Sequence, residues 1–503
     1  VPFRLYLTSW KKQPWIISTQ KLKKYWTKIL GINITIKNQS NQTRLQPIMK
    51  EHSQKAETTK KVHIQTYGCQ MNEYDTNKML EVLRHENYSQ TDCQTEADLI
   101  ILNTCSIREK AENKVYSELG RLRELKSVKP DLKIGVGGCV AQQEGKDILR
   151  RANNVDFVFG TDNLFELPKI LRRVAERKKI SMTERHARQK VRNFIPDYTF
   201  LQSKTFGVKA QIAITKGCNN HCSFCVVPFT RGVEVSREPE HIISEARRLV
   251  AAGTREICLL GQNVNSYKAN GTDFVELLRH LDEIENLERL RFISPHPKDF
   301  HSELAEAFIT LPSLCEQMHL PLQSGSDRIL RRMRRWYTME TFYEKVALLR
   351  DRIPHATLST DLIVGFPGET EEEFEMTMEA VRNVRFDLIY SFKYSARPGT
   401  RAAEYPEHLP ENVKSERLKR LLETQGKIIK EKNAALTGSF QEVLIEGKHH
   451  RKENTATGRT RGYHSVAIKD CRIKAGELLQ VHITGANPNS LIAEPLYTST
   501  VSG

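Results

Sequence analysis

The chain has 503 residues, of which 39% are hydrophobic and 27% charged, the composition of a folded globular protein with room for two or three cores. Its apolar runs, such as Leu99–Leu102, fall far short of the roughly 20 residues that a membrane-spanning helix needs, so no membrane association is expected. The net charge of +16 suggests a polyanionic partner, but residues 1–50 carry ten Lys or Arg and no Asp or Glu, leaving only +6 for the rest.

Residues 1–59 show no core periodicity and read as a basic N-terminal extension, expected to be disordered. Three readings stand for it: a mitochondrial transit sequence, though richer in Lys than in Arg; a basic RNA-binding arm; or an extension without function upstream of a start near Met49. From residue 60 the pattern alternates. Val62–Thr66, Leu99–Leu102, Leu132–Val136 and Val155–Phe159 are β-prone, with helical stretches such as Ile107–Lys126 and Leu164–Glu176 between them. This predicts a parallel α/β domain over residues 60–176. Residues 177–203 form a polar, basic linker.

A second βα series follows over residues 204–434. Its expected strands are Ala210–Thr215, Glu256–Leu260, Arg291–Ser294, Gln317–Leu320, Leu358–Val364 and Asp387–Phe392; its helices include Glu240–Ala252, Phe274–Ile284 and Glu371–Val381. About six such units predict a partial (β/α) barrel. A charged helix, Glu411–Leu436, closes it. Over residues 437–500 short β-prone runs (Gln441–Glu446, Ser465–Ile468, Leu478–Ile483) are punctuated by glycines, which predicts a small antiparallel β-barrel.

The cysteines carry the chemistry. Ten of them in a chain this long do not make a disulfide-stapled secreted domain; reduced, metal-ligating thiols fit better, in a cytoplasmic setting or, if the first segment is a transit sequence, a mitochondrial matrix. Cys218, Cys222 and Cys225 form C-x3-C-x2-C directly after an expected strand. Three thiolates on one loop can bind three irons of a four-iron cluster and leave the fourth iron open to a chelating small molecule. A structural zinc site is the weaker alternative, since it wants a fourth ligand and paired C-x2-C arms. Cys69, Cys105 and Cys139 each lie just past the carboxyl end of an expected strand, and in a parallel sheet those ends share one edge. They can therefore converge on a second three-thiolate site. Cys93, Cys258, Cys315 and Cys471 show no such placement and read as ordinary thiols.

The triplet, with aromatic Phe224 before its last cysteine, resembles the radical S-adenosylmethionine superfamily. The wider pattern (TYGCQMNEYDT, NTCSIREKAENKV, GVGGCVAQQEG, KGCNNHCSFCVVPFTRG, LGQNVNSY, HLPLQSGSDRIL, LIVGFPGETEEEF, YSARPGTRA) resembles the methylthiotransferase family over nearly all of residues 60–500. The resemblance implies a flavodoxin-like N-terminal domain, a radical S-adenosylmethionine core and a C-terminal RNA-binding TRAM barrel. It implies two [4Fe-4S] clusters, one on Cys218, Cys222 and Cys225 that binds S-adenosyl-L-methionine, and an auxiliary one on Cys69, Cys105 and Cys139. The implied reaction methylthiolates C2 of an adenine in the tRNA anticodon stem-loop, at position 37, using two S-adenosylmethionine molecules and sulfur from the auxiliary cluster. A radical suits that target, because the C2 hydrogen is not activated for acid–base exchange, and the base must leave its stack to reach the cofactor.

The NTCSIREKA stretch resembles the branch acting on N6-isopentenyladenosine. The alternatives are the threonylcarbamoyladenosine branch or, in another class, a non-enzymatic cluster-containing RNA-binding or redox-sensing protein, against which the intact triplet and Phe224 argue. Implied partners are tRNA, an electron donor such as flavodoxin or ferredoxin, and iron–sulfur carrier proteins; a monomer is expected. Further candidates to face the cofactor are Gly261, Gln262 and Asn263 after the second barrel strand and Ser324 and Gly325 after the fourth, all equally readable as turn residues. Arg328, Arg331, Arg332, Arg334 and Arg335 form a basic helical stretch that could meet tRNA phosphates, its default reading being a solvated face. Lys448, Arg451, Lys452, Arg459 and Arg461, with Tyr463 nearby, make the better RNA surface.

Overall fold

The computed structural model describes residues 59–106, 109–176, 178–185, 207–449, 452–469 and 472–496, with backbone only at 109–113. The expected extension up to residue 58, most of the expected linker, Arg451 and Cys471 lie outside the described residues.

The first layer is a parallel sheet of six strands: β1 (Lys60–Thr66), β2 (Tyr88–Gln90), β3 (Leu99–Thr104), β4 (Lys133–Gly138), β5 (Phe157–Phe159) and β6 (Ile180–Met182), in the order β2-β1-β3-β4-β5-β6. The central β3 is buried along its whole length, which is why it reads as a continuous apolar run. Ile100 and Leu102 pack with Leu119 and Leu122 of the helix Glu109–Val128, while Leu99 and Ile101 turn to Met79 and Leu83 of the helix Gln70–His85. Strands β2 and β6 were not expected. Each has three residues, too few for a periodic signal, and β6 pairs with β5 inside the stretch read as linker.

The second domain holds β7 (Lys209–Ala213), β8 (Glu256–Leu260), β9 (Arg289–Phe292), β10 (Gln317–His319), β11 (Thr357–Val364) and β12 (Leu388–Lys393). They make two parallel three-stranded sheets, β9-β8-β7 and β10-β11-β12, with a parallel bridge from Leu290 of β9 to Leu314 just before β10. This is the expected partial barrel. Its helices start where local chemistry tells them to: Thr370 and Glu373 form a reciprocal capping box at the head of Glu371–Val384, which satisfies two otherwise unpaired backbone donors.

The last domain is a closed barrel of β13 (Phe440–Lys448), β14 (Ala456–Thr460), β15 (Ser465–Ile468), β16 (Leu478–Asn487) and β17 (Ser490–Pro495), ordered β13-β14-β15-β17-β16. Its β14–β15 turn seals the amino ends of the larger barrel's strands. Arg289, the first residue of β9, donates to the carbonyl of Arg459 at 2.6 Å; Arg291 donates to those of Thr460 (3.0 Å) and Arg461 (2.7 Å). Thr357, the first residue of β11, donates to the Gly462 carbonyl at 2.8 Å, and Arg461 pairs with Glu316 at 2.8 Å. Among the described residues no helix is long and apolar enough to cross a membrane.

This seam gives part of the expected RNA surface a structural role. Arg461 spends its guanidinium on Glu316 and on the carbonyls of Pro312 and Leu314. Tyr463 is sandwiched between Arg291 and Arg459, whose guanidinium carbons lie 5.0 and 4.3 Å from its ring centroid, and Arg459 also pairs with Glu446 at 3.0 Å. Cations stacked on an aromatic ring have the composition of a base-binding surface, but here they hold two domains together. Lys448 and Lys452 remain exposed.

Candidate metal centres

Strand register brings the three N-terminal cysteines to one edge. Thr66 of β1 pairs with Asn103 of β3, and Thr104 of β3 with Gly138 of β4. Cys105 and Cys139 therefore follow two adjacent strands directly, and Cys69 lies three residues beyond the end of β1. Cys69 caps the helix Gln70–His85, and Cys139 opens the helix Cys139–Glu144. Gly68 makes room: a Cβ there would fall 2.2 Å from Cβ of Cys105. A hydrogen bond from Cys105 is the largest influence on the Cys69 thiol and holds it down to about 6 against the opposing effect of burial. Behind the sulfurs, Asn72 donates to the carbonyl of Thr104 at 2.8 Å and Asn103 to that of Asn72 at 2.7 Å.

The second trio lies on the loop after the short strand Thr215–Lys216. Gly217 takes φ +77, and a Cβ there would meet the Val233 carbonyl at 2.2 Å, so only glycine fits this close, left-handed turn. Cys218 N–H donates to the Gly232 carbonyl at 3.1 Å, and Cys225 N–H to that of Cys222 at 3.0 Å. Burial pushes the Cys218 thiol up to about 11 and that of Cys225 to about 12, with the neighbouring cysteines adding to the rise. Such thiols ionise when a cation takes the proton's place. Arg335 N–H donates to Cys222 Sγ at 3.4 Å. Phe224, expected beside the cofactor, packs against the buried group of Ile329, Met333, Phe366, Tyr394 and Ala402.

The two centres are stitched together. Arg231, six residues past Cys225, is buried and pairs with Asp75 on the helix that Cys69 caps, at 2.8 Å. Lys216 pairs with Asp162 at 2.6 Å and donates to the Thr161 carbonyl at 2.9 Å. These contacts set the sheet edge carrying Cys69, Cys105 and Cys139 against the loop carrying Cys218, Cys222 and Cys225.

Around the carboxyl end of the barrel the expected residues divide. Gly261 sits where a Cβ would strike Thr215 Oγ1 at 2.1 Å, and Gln262 Oε1 accepts from Gly217 N–H at 2.5 Å. Asn263 donates to Asp299 at 2.8 Å. Ser324 and Gly325 are committed to internal bonds, Ser324 Oγ accepting from Ser326 N–H at 3.3 Å and Gly325 N–H donating to Thr377 Oγ1 at 2.9 Å. Gln262 Nε2, Asn263 Oδ1 and His296 Nε2 are buried and without a hydrogen-bond partner. Buried polar atoms cost free energy unless paired, so three beyond the carboxyl ends of the adjacent strands β8 and β9 mark a place for a polar ligand. His296 carries no sequence signal as a site residue, since the ring is isolated in sequence, and Arg335 lies in a run that reads as a solvated face or a phosphate contact, not as a neighbour of the cysteine loop. Among the described residues no three His, Cys, Asp or Glu side chains crowd closely enough to serve a single metal ion. Soft thiol donors in threes, with a polar cradle beside one trio, fit an iron–sulfur cluster and a small chelating ligand.

Comparison with known proteins divides the chain as the fold does. Residues 61–160 match the Uncharacterized protein family UPF0004, residues 212–381 the Radical SAM superfamily and residues 434–496 the TRAM domain. A tRNA-2-methylthio-N(6)-dimethylallyladenosine synthase of Francisella philomiragia is 44% identical over 86% of this chain and 99% of its own length. Proteins of the same name from Bordetella avium (44% identical, 91% and 96% covered) and Pelotomaculum thermopropionicum (42% identical, 85% and 96% covered) are similar too. Among solved structures, the radical S-adenosylmethionine methyltransferase TsrM of Kitasatospora setae shares the fold, with a TM-score of 0.52 at 15% identity over 68% of this chain and 75% of its own.

Proposed function

The chain belongs to the family of tRNA-2-methylthio-N(6)-dimethylallyladenosine synthases, and from that premise we propose that it inserts a methylthio group at C2 of N6-isopentenyladenosine at position 37 of tRNA. The observation that supports this reading is the facing of two cysteine trios, Cys69, Cys105 and Cys139 on a sheet edge and Cys218, Cys222 and Cys225 on a loop, braced by the buried Arg231–Asp75 pair. Two [4Fe-4S] clusters would be held there, one per trio, and when bound with S-adenosylmethionine they supply a carbon-centred radical on one side and sulfur on the other.

The protein's own part is positioning. Gln262 pins Gly217, and through it the loop of the second trio. The unpartnered amide and imidazole atoms of Gln262, Asn263 and His296 give S-adenosylmethionine a polar seat at the carboxyl end of the barrel. Burial holds the His296 imidazolium down to about 2, so this ring is neutral at physiological pH and offers a hydrogen bond without a charge. Lys448 and Lys452 offer the tRNA backbone two cations. A flavodoxin- or ferredoxin-type donor and iron–sulfur carriers complete the chemistry, and a monomer in the cytoplasm suffices for it.

The test incubates the reconstituted protein anaerobically with tRNA from cells that can and cannot prenylate adenosine, and resolves the nucleosides by mass. Product is expected only from prenylated tRNA. Equal product from prenyl-free tRNA, or product on threonylcarbamoyladenosine, overturns the substrate assignment.

A further inference from the structure

Arg335 is almost fully buried, at 5% exposure. Among the described residues no carboxylate pairs with it. Its guanidinium donates to Tyr337 Oη at 3.1 Å, to the Pro321 carbonyl at 3.0 Å and to Cys222 Sγ at 3.4 Å. A guanidinium cannot shed its proton in a protein, and a charge taken out of water without an opposite charge is costly. Of its three acceptors the carbonyl is neutral and burial pushes the Tyr337 phenol up, which leaves the sulfur as the candidate to carry the opposing charge.

The backbone commits to this placement. Arg334 and Trp336, on either side, adopt φ +59 and +54, left-handed conformations unfavourable for side chains of that size. The same segment grips the cysteine loop elsewhere: Ser223 N–H donates to the Met333 carbonyl at 3.0 Å, Ser223 Oγ to that of Arg332 at 2.8 Å, and Trp336 Nε1 to that of Asn220 at 3.4 Å. Asp361, which acts on Tyr337, is directed to His319 at 3.4 Å, and neutral His296 meets the Tyr337 ring edge-on at 5.8 Å.

We propose that Arg335 is the fixed counter-charge of the cluster held by Cys218, Cys222 and Cys225, a positioning residue that makes this cluster easier to reduce. The inference rests on the proposed function for the presence of that cluster. A one-electron reduction adds negative charge beside a guanidinium that cannot move away, so the reduced form gains more from it than the oxidised form.

The test is an anaerobic redox titration of the reconstituted full-length protein, followed by electron paramagnetic resonance, with the first cluster identified as the signal that S-adenosylmethionine perturbs. Arg335→Met is expected to make its reduction at least tenfold less favourable, about 59 mV more negative for one electron, while Arg335→Lys stays within threefold of the wild type. An Arg335→Met value within threefold of the wild type, with the cluster retained, overturns the proposal. If Arg335→Met loses the cluster, Arg335→Lys decides: a retained cluster near the wild-type potential supports a charge role, and its loss overturns it in favour of packing. A wild-type protein lacking the responsive signal overturns the underlying site assignment instead, and the proposal with it.

Discussion

Glu245, on the helix Pro239–Ala251, lies between two cations, with Lys78 Nζ of the sheet domain at 2.8 Å and Arg237 Nη1 of the barrel at 2.8 Å. Its side chain is 7% exposed. Burial pushes this carboxyl up, and the two cations pull it further down, to about 2 from an ordinary 4.5. At about 1.4 kcal/mol per tenfold that difference corresponds to roughly 3 kcal/mol favouring the ionised form, in line with the roughly 3–5 kcal/mol lost when one partner of a buried pair is removed. Glu245→Gln keeps the shape and leaves Arg237 without its carboxylate and Lys78 with Glu81 alone, so it should cost about 3 kcal/mol. Lys78→Met leaves Glu245 paired with Arg237 and should cost less than Glu245→Gln. Because the folded pKa is depressed, the contribution is complete above about pH 4.5 and decays as pH falls toward 2; Glu245→Gln should flatten the stability profile in that window. Urea unfolding followed by circular dichroism at pH 7 and pH 3 measures all of this. A Glu245→Gln cost below 1 kcal/mol, or a larger cost for Lys78→Met, would refute the reasoning.

Cys222→Ala should abolish 5′-deoxyadenosine formation in an anaerobic assay; wild-type levels would remove this trio from the chemistry. Replacing Cys69, Cys105 and Cys139 together by Ala should leave roughly half the iron, one four-iron cluster of two, and continued 5′-deoxyadenosine formation with no methylthiolated nucleoside. Thiolated product from that variant would place the sulfur source elsewhere. Gly217→Ala forces a Cβ onto the Val233 carbonyl at a left-handed turn; iron per chain should fall by roughly half while far-UV dichroism is unchanged, and full iron would show that the loop relaxes.

The sequence made the cysteine geometry legible because two independent patterns coincide. The apolar run of β3 and the expected β4 end just short of Cys105 and Cys139, and a parallel sheet leaves no choice about which edge those positions share. Glu256–Leu260 and Ser465–Ile468 are legible at their observed bounds because one is a buried barrel strand and the other is bounded by turns. Three-residue edge strands such as Ile180–Met182 carry too little pattern to be seen. Side-chain direction was the harder loss. Arg335 sits in a run of arginines that reads as a solvated face, yet Arg328 pairs with Glu373 at 2.6 Å, Arg332 stacks over Tyr405 and Arg335 points into the protein. Arg459, Arg461 and Tyr463 had the composition of an RNA surface, and composition does not say whether such residues meet a nucleic acid or another domain.

The turn that closes the amino ends of the barrel strands changes what a truncation experiment can mean. Cutting the chain after the helix Glu411–Ala435 would strip carbonyl partners from Arg289 and Arg291, which are now 0% and 3% exposed, and would remove the cation facing Glu316. A shortened protein that fails to modify RNA would then report a wounded barrel as readily as a missing grip on the substrate. Charge removal at exposed Lys448 and Lys452 separates the two: loss of tRNA affinity that steepens with salt, at unchanged thermal stability, belongs to the RNA contact alone. The C-terminal barrel is thus also the floor of its neighbour, and grafting in its place a relative's version would succeed only if the incoming turn reproduced the carbonyls that those two arginines require.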